Sequence, residues 1–151
     1  MLFRSLGREF NIMRMTFKNH ACCGHTFAAI DGALAAQAAL GVAAEDIERV
    51  QVGSYRASLE VSGIEDPRTP AEARFSLKYV VAHALRHGSV RLAAFEPECL
   101  GDPTTRALMR CIDASIDPVL DAAFPAQRAA QVVVATRDGR DRKSTRLNSS
   151  H

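Results

Sequence analysis

Lys18-Asn19-His20-Ala21-Cys22-Cys23-Gly24-His25-Thr26-Phe27-Ala28-Ala29-Ile30-Asp31-Gly32 is the stretch on which the fold turns. Its first eight residues hold one lysine, two histidines and two thiols. The chain then breaks at Gly24 and enters an Ala-rich segment that reads as a helix over 26–40. Thr26 stands where a cap belongs and Gly41 where a C-terminal glycine belongs. A helix N-terminus carries unpaired N–H groups and about half a positive charge, so anions gather there. Lys18, His20 and His25 beside such an end describe a cationic pocket for carboxylates.

Outward from that helix, Ile47, Val50, Val52 and Tyr55 recur among polar residues and predict a strand over 47–55. Residues 57–67 read as a connection rich in Ser, Gly, Asp and Pro. Thr69-Pro70-Ala71-Glu72 carries a capping Thr, a Pro at the first helical position and a Glu that completes a capping box. It predicts one helix running to Gly88. Leu77, Val80, Val81, Ala84 and Leu85 form its core stripe, while Phe75, Tyr79, Ala82, His83 and Arg86 fall on the other side. Phe75 and Tyr79 mark that side as a second buried or ligand-facing one.

A short helix over 104–110, a strand over 111–116 ended by Pro118, and a strand over 130–136 followed by an Asp138-Gly139 turn complete the order. Helices covering one face of a small antiparallel sheet, an α+β fold, is the expected architecture.

The chain has 151 residues, enough for one domain with a real core, and is 47% hydrophobic and 24% charged. Residues 1–17 are mixed and open without a cap or period, as a segment that begins mid-fold does. No apolar run reaches membrane-span length, and the start lacks the apolar core of a secretion signal, so a cytoplasmic location and no membrane partner are expected. Cys22, Cys23, Cys99 and Cys111 have neither disulfide-framework nor CxxC spacing. The net charge of +2 belongs to the last ten residues, where Arg142, Lys143 and Arg146 meet no acid. Without them the chain is slightly acidic, which removes the main support for a nucleic-acid partner. Residues 142–151 have a single aliphatic residue and no period. They resemble adapter read-through and are expected to be a disordered, non-native tail to a domain over 1–141.

Phe17 to Asp31, Ile47 to Val50, Glu72 to Ala82 and Val132 to Arg140 together resemble the MmgE/PrpD family, which includes 2-methylcitrate dehydratase and cis-aconitate decarboxylase. The first and third pieces are specific and the others generic. In that family a large helical domain joins a smaller α+β lid, and the chain resembles the lid alone, truncated at both ends. The resemblance implies a cofactor-independent lyase or isomerase acting on a citrate-like di- or tricarboxylate. It also implies a homodimer at full length, no metal and no cofactor, and no activity for the fragment without its helical half. Lys18 matches the lid's active-site lysine and Tyr79 its active-site tyrosine. Cys23 stands where cis-aconitate decarboxylase has a histidine, which argues against that reaction.

Dehydration beside a carboxylate needs a base for a C–H proton, an acid for the leaving hydroxyl and cations for the polycarboxylate. Lys18 is either a partner of a substrate carboxylate or a solvated lysine. Tyr79 is either a donor to the leaving group or a tyrosine packed on the sheet. His25 titrates near neutral pH as acid or base, or caps local backbone. His20, Cys22, Cys23, Gly24 and Thr26 complete the expected substrate-binding turn. Its thiols read either as nucleophiles or as buried inert groups. Two other functions fit the residues: a stand-alone α+β binding module with Phe75 and Tyr79 as its contact surface, and a metal site made of His20, Cys22, Cys23 and His25. His83 and His87 share a helix face and read as surface residues.

Overall fold

The computed structural model describes Gly7, Phe10 and residues 17–147. The mixed segment 1–16 and the end of the tail, 148–151, lie otherwise outside the described residues. Four strands, β1 (Ile47–Ser54), β2 (Ile112–Ile116), β3 (Ala129–Thr136) and β4 (Asp141–Leu147), form one sheet in the order β2-β1-β3-β4. The α+β class holds, with a mixed sheet. β1 runs antiparallel to β3 and β3 to β4, but β1 and β2 are parallel. Parallel neighbours need a long crossover, and the chain from Ser54 to Ile112 supplies one that holds five helices.

α1 (Phe27–Leu40) follows a 3-10 turn at Gly24–Thr26 and ends on Gly41 at φ 64°. It lies flat on the sheet, because a Cβ added at Gly32 would stand 2.8 Å from Val132 Cγ2. The small side chains Ala29, Ala33 and Ala36 of the same helix are fully buried as well. Thr26 precedes α1 but makes no side-chain cap; its hydroxyl donates to the Cys23 carbonyl at 2.8 Å.

The single helix expected between Thr69 and Gly88 is two. α3 (Pro70–Ala73) carries the Thr69/Glu72 capping box, and α4 (Leu77–His87) restarts from Ser76, whose hydroxyl accepts from Tyr79 N–H. The break lets Ser76 form a bridge with Gly63. The expected stripe of Leu77, Val80, Val81, Ala84 and Leu85 is buried, but so are Tyr79, Ala82 and His83. α4 is enclosed on nearly every side because α1 and α6 (Pro103–Arg110) both pack against it.

The connection over 57–67 contains α2 (Arg56–Val61). α5 (Pro97–Leu100) and α7 (Pro118–Ala123) were equally unannounced, and each starts on a proline. Asp117 caps α7 by accepting from the Val119 and Leu120 N–H groups. The disorder expected of the tail does not hold for residues 142–147, which form most of β4 and pair with β3 from Ala129 to Ala135. Six of the seven β4 residues are exposed, so backbone hydrogen bonds place the strand and no side-chain period could announce it.

His83 was expected at the surface and is 5% exposed, its Nδ1 buried and without a hydrogen-bond partner among the described residues. Burial, with His87 beside it, pushes the His83 pKa down from 6.5 to about 4, against a small opposing pull from Asp102. The unfolded chain therefore binds a proton that the folded one refuses between those values. Stability is complete above pH 6.5 and falls as the pH drops towards 4, by at most about 1.4 kcal/mol per unit. Urea midpoints at pH 7.5 and 5 check this. The midpoint should be lower at pH 5, and His83→Gln should remove most of the difference. An undiminished difference in the variant would place the titration elsewhere.

Candidate functional site

The 18–26 turn is held from both flanks by backbone. Ala21 N–H donates to the Val90 carbonyl at 2.9 Å and Cys23 N–H to the Arg74 carbonyl at 3.0 Å. Arg91 donates to the Asn19 carbonyl at 2.8 Å. A turn tied to α3's end on one side and to the segment after α4 on the other presents its side chains in fixed directions.

Lys18 is exposed and its ammonium donates to the Cys22 carbonyl at 3.3 Å. Cys22 is 3% exposed, with its sulfur 3.3 Å from the Thr26 hydroxyl. Burial pushes the Cys22 thiol up to about 11, so at neutral pH it is a thiol and not a nucleophilic thiolate. Cys23 is buried as well. His20 Nε2 donates to Asp31 on α1 at 2.9 Å, and its ring meets Phe27 edge-on at 5.2 Å. His20 thus braces the start of α1. The metal site weighed from sequence is not assembled: among the described residues no group of three His, Cys, Asp or Glu could hold an ion.

His25 faces differently. Its Nδ1 lies 2.8 Å from the Tyr55 hydroxyl, and its carbonyl accepts from the Ser58 hydroxyl at 2.9 Å. Tyr55 stacks on Phe124 with ring centroids 4.6 Å apart and planes 10° from parallel. Burial lowers the His25 pKa, and the Arg128 guanidinium lowers it further. Burial raises the Tyr55 hydroxyl to about 12, with Arg128 opposing and Cys23 adding a little. A neutral imidazole and an un-ionised phenol therefore sit beside a cation at working pH.

Tyr55, Ser58, Phe124 and Arg128 were absent from the sequence reading of the site. In sequence Tyr55 is the last alternating residue of a strand, and nothing there ties it to His25, 30 positions earlier. α2 brings Ser58 to His25 and α7 delivers Phe124, and neither helix had been foreseen.

Tyr79 goes elsewhere. It is 0% exposed, its hydroxyl donates to the Ala94 carbonyl, and its ring meets His83 and Phe95. Burial holds that hydroxyl at about 12. Among the described residues, no hydrogen bond or ring contact joins Tyr79 to the 18–26 turn. Phe75, on the same expected side, is 43% exposed.

Cavities of about 340, 380 and 190 Å³ lie at the β1–α6 corner, beside Lys78 and Arg106, and beneath Gly63, and none includes a residue of the turn. Within the turn Lys18 and Asn19 are exposed, and Ala21, Gly24 and His25 are half-buried. Phe17 at 85% and Leu92 at 73% exposure, with Phe75, add uncovered apolar surface to the segments that flank it.

The family model described as the MmgE/PrpD C-terminal domain matches residues 20–149. No curated protein matches the chain.

Proposed function

The chain belongs to the MmgE/PrpD family as its C-terminal domain, and on that premise we propose that it is the lid half of a cofactor-independent lyase or isomerase for citrate-like di- or tricarboxylates. A dehydratase of the 2-methylcitrate type is the reaction we favour. The carrying observation is the turn itself, where Lys18 and His25 share one loop and Tyr55 holds the His25 ring.

In this reading the Lys18 ammonium pairs with a substrate carboxylate or steadies charge developing on the adjacent carbon. His25, half-buried and held at Nδ1, meets the substrate with its other ring edge. Gly24 and Thr26 shape the backbone between these two groups, with Cys22 and Cys23 as inert packing beneath. His20 contributes through Asp31 and the start of α1. Tyr79 supports the 92–95 turn and reaches the site only through that support.

Support for the half-site reading is the exposed apolar surface of Phe17, Phe75 and Leu92 on the segments that flank the turn. Such surface is what a helical domain of the same protein would cover. The remaining acid or base would come from that domain, and the full-length protein would be a homodimer.

The test joins the coding sequence to the reading frame upstream of Met1. The extended protein should convert a 2-methylcitrate-like hydroxy acid to an alkene, read by ultraviolet absorbance, while the 151-residue chain alone turns over nothing. Turnover of 2-methylcitrate by the isolated chain would contradict the half-site reading. An upstream stop codon would favour a stand-alone binding module.

A further inference from the structure

Tyr55 is 1% exposed, and among the described residues its hydroxyl has one hydrogen-bond partner, His25 Nδ1 at 2.8 Å. An enclosed phenol gives its proton to the partner it has, because a buried donor left unpaired is costly. His25 Nδ1 therefore accepts, and in the neutral ring the proton resides on Nε2. Three contacts fix that ring. Tyr55 holds Nδ1, Ser58 holds the His25 backbone carbonyl, and Phe124 lies 6.4 Å from the imidazole while stacking on Tyr55. β3 pairs Ala130 with Ser54, and the Ser54 hydroxyl donates to the Ala129 carbonyl at 3.1 Å, which brings the exposed Arg128 to the Tyr55 end of β1; its charge lowers the basicity of His25.

We propose that Tyr55 is a positioning residue that fixes His25 as the Nε2–H tautomer, so that the His25 Nε2–H and the Arg128 guanidinium together hold one carboxylate of an anionic ligand. This rests on the 18–26 turn being the ligand-facing side of the domain, and it assigns His25 a task the turn alone does not. His25 is a hydrogen-bond donor and no proton need leave it. The base that removes a C–H proton then comes from outside the His25, Tyr55, Ser58 and Arg128 group. Lys18 and Arg128 would take different carboxylates of the same molecule, which selects for a di- or tricarboxylate over a monocarboxylate. The lowered basicity of His25 agrees, since an imidazole beside Arg128 stays neutral and still donates.

The tautomer is read on the 151-residue chain by two-bond proton–nitrogen correlation spectra of ¹⁵N-histidine-labelled protein. At neutral pH, His25 should show Nδ1 unprotonated and Nε2 protonated. Tyr55→Phe keeps the ring on Phe124 and removes only the hydroxyl, so it should return His25 to a mixture of tautomers. The wild-type spectrum decides the matter even if that variant does not fold. Citrate is the binding probe. Its addition should shift the His25 Nε2 signal, and Arg128→Gln should weaken that titration about tenfold or more. A protonated Nδ1 in the wild type overturns the positioning role. Citrate that leaves His25 unmoved, or binds Arg128→Gln equally well, overturns the carboxylate site. An extended protein without lyase activity would defeat the proposed function yet leave the tautomer standing, so the two failures are distinguishable.

Discussion

Tyr79→Ala is expected to destabilise the domain by about 3–5 kcal/mol, and Tyr79→Phe by about 1–3 kcal/mol. The first removes a fully buried ring packed between His83 and Phe95 and leaves a cavity the surrounding helices cannot close. The second keeps the ring but strands the Ala94 carbonyl, which accepts from the phenol. Urea unfolding of both variants measures the pair. In the extended enzyme, Tyr79→Phe should lose stability while its kcat per folded molecule stays near that of the wild type. A stable Tyr79→Phe with kcat down a hundredfold would return the phenol to the chemistry, against the packing role described here.

That prediction marks where sequence and structure part. The wheel placed Tyr79 off the Leu77–Leu85 stripe, and a side off the stripe is ordinarily solvent or ligand. Here it is a second core face, because the 3-10 turn at Leu92–Phe95 folds back over α4. No periodicity in α4 can announce what a later turn will cover. The same blindness moved His83 from the surface to the interior. Phe75 stays outside because the helix breaks between Ala73 and Leu77, and the break depends on Ser76 pairing with Gly63 across the chain.

Features with local causes were legible. Gly41 adopts a positive φ and stops α1, the Thr69/Glu72 box opens α3, and Val132 and Val134 are buried on β3. The strand positions came from β-branched alternation, which is local too. Sheet order was not legible, since the parallel β1–β2 pair follows from the long crossover and not from either strand's own residues. β4 was misread because its backbone is recruited by β3 while its side chains stay in water.

Within the site, the turn from Lys18 to Thr26 was legible as a chemical cluster, and its internal contacts follow from nearness in sequence. What completes it is distant. Tyr55, Ser58 and Phe124 reach His25 by way of β1, α2 and α7, and Arg128 stands just ahead of β3, whose first residues pair with Ser54. Two of those elements are six-residue helices, α2 in a stretch that reads as a connection and α7 in one to which the sequence assigns no element. Short helices of this kind are held by tertiary packing rather than by intrinsic propensity.

Lys18 carries the central claim, that the turn is where a polycarboxylate meets the domain. Its side chain lies at the surface and, among the described residues, makes one hydrogen bond, to the Cys22 carbonyl, so replacing it should leave the fold untouched. The decisive measurement is kcat/KM of the extended protein with Lys18→Met, beside its thermal midpoint. A fall of about 10²–10³ in kcat/KM with an unchanged midpoint is expected of a cation that steadies developing charge. A kcat/KM within about threefold of the wild type, under half a pKa unit's worth of free energy, would mean the ammonium is a solvated surface charge and the reactive face lies elsewhere.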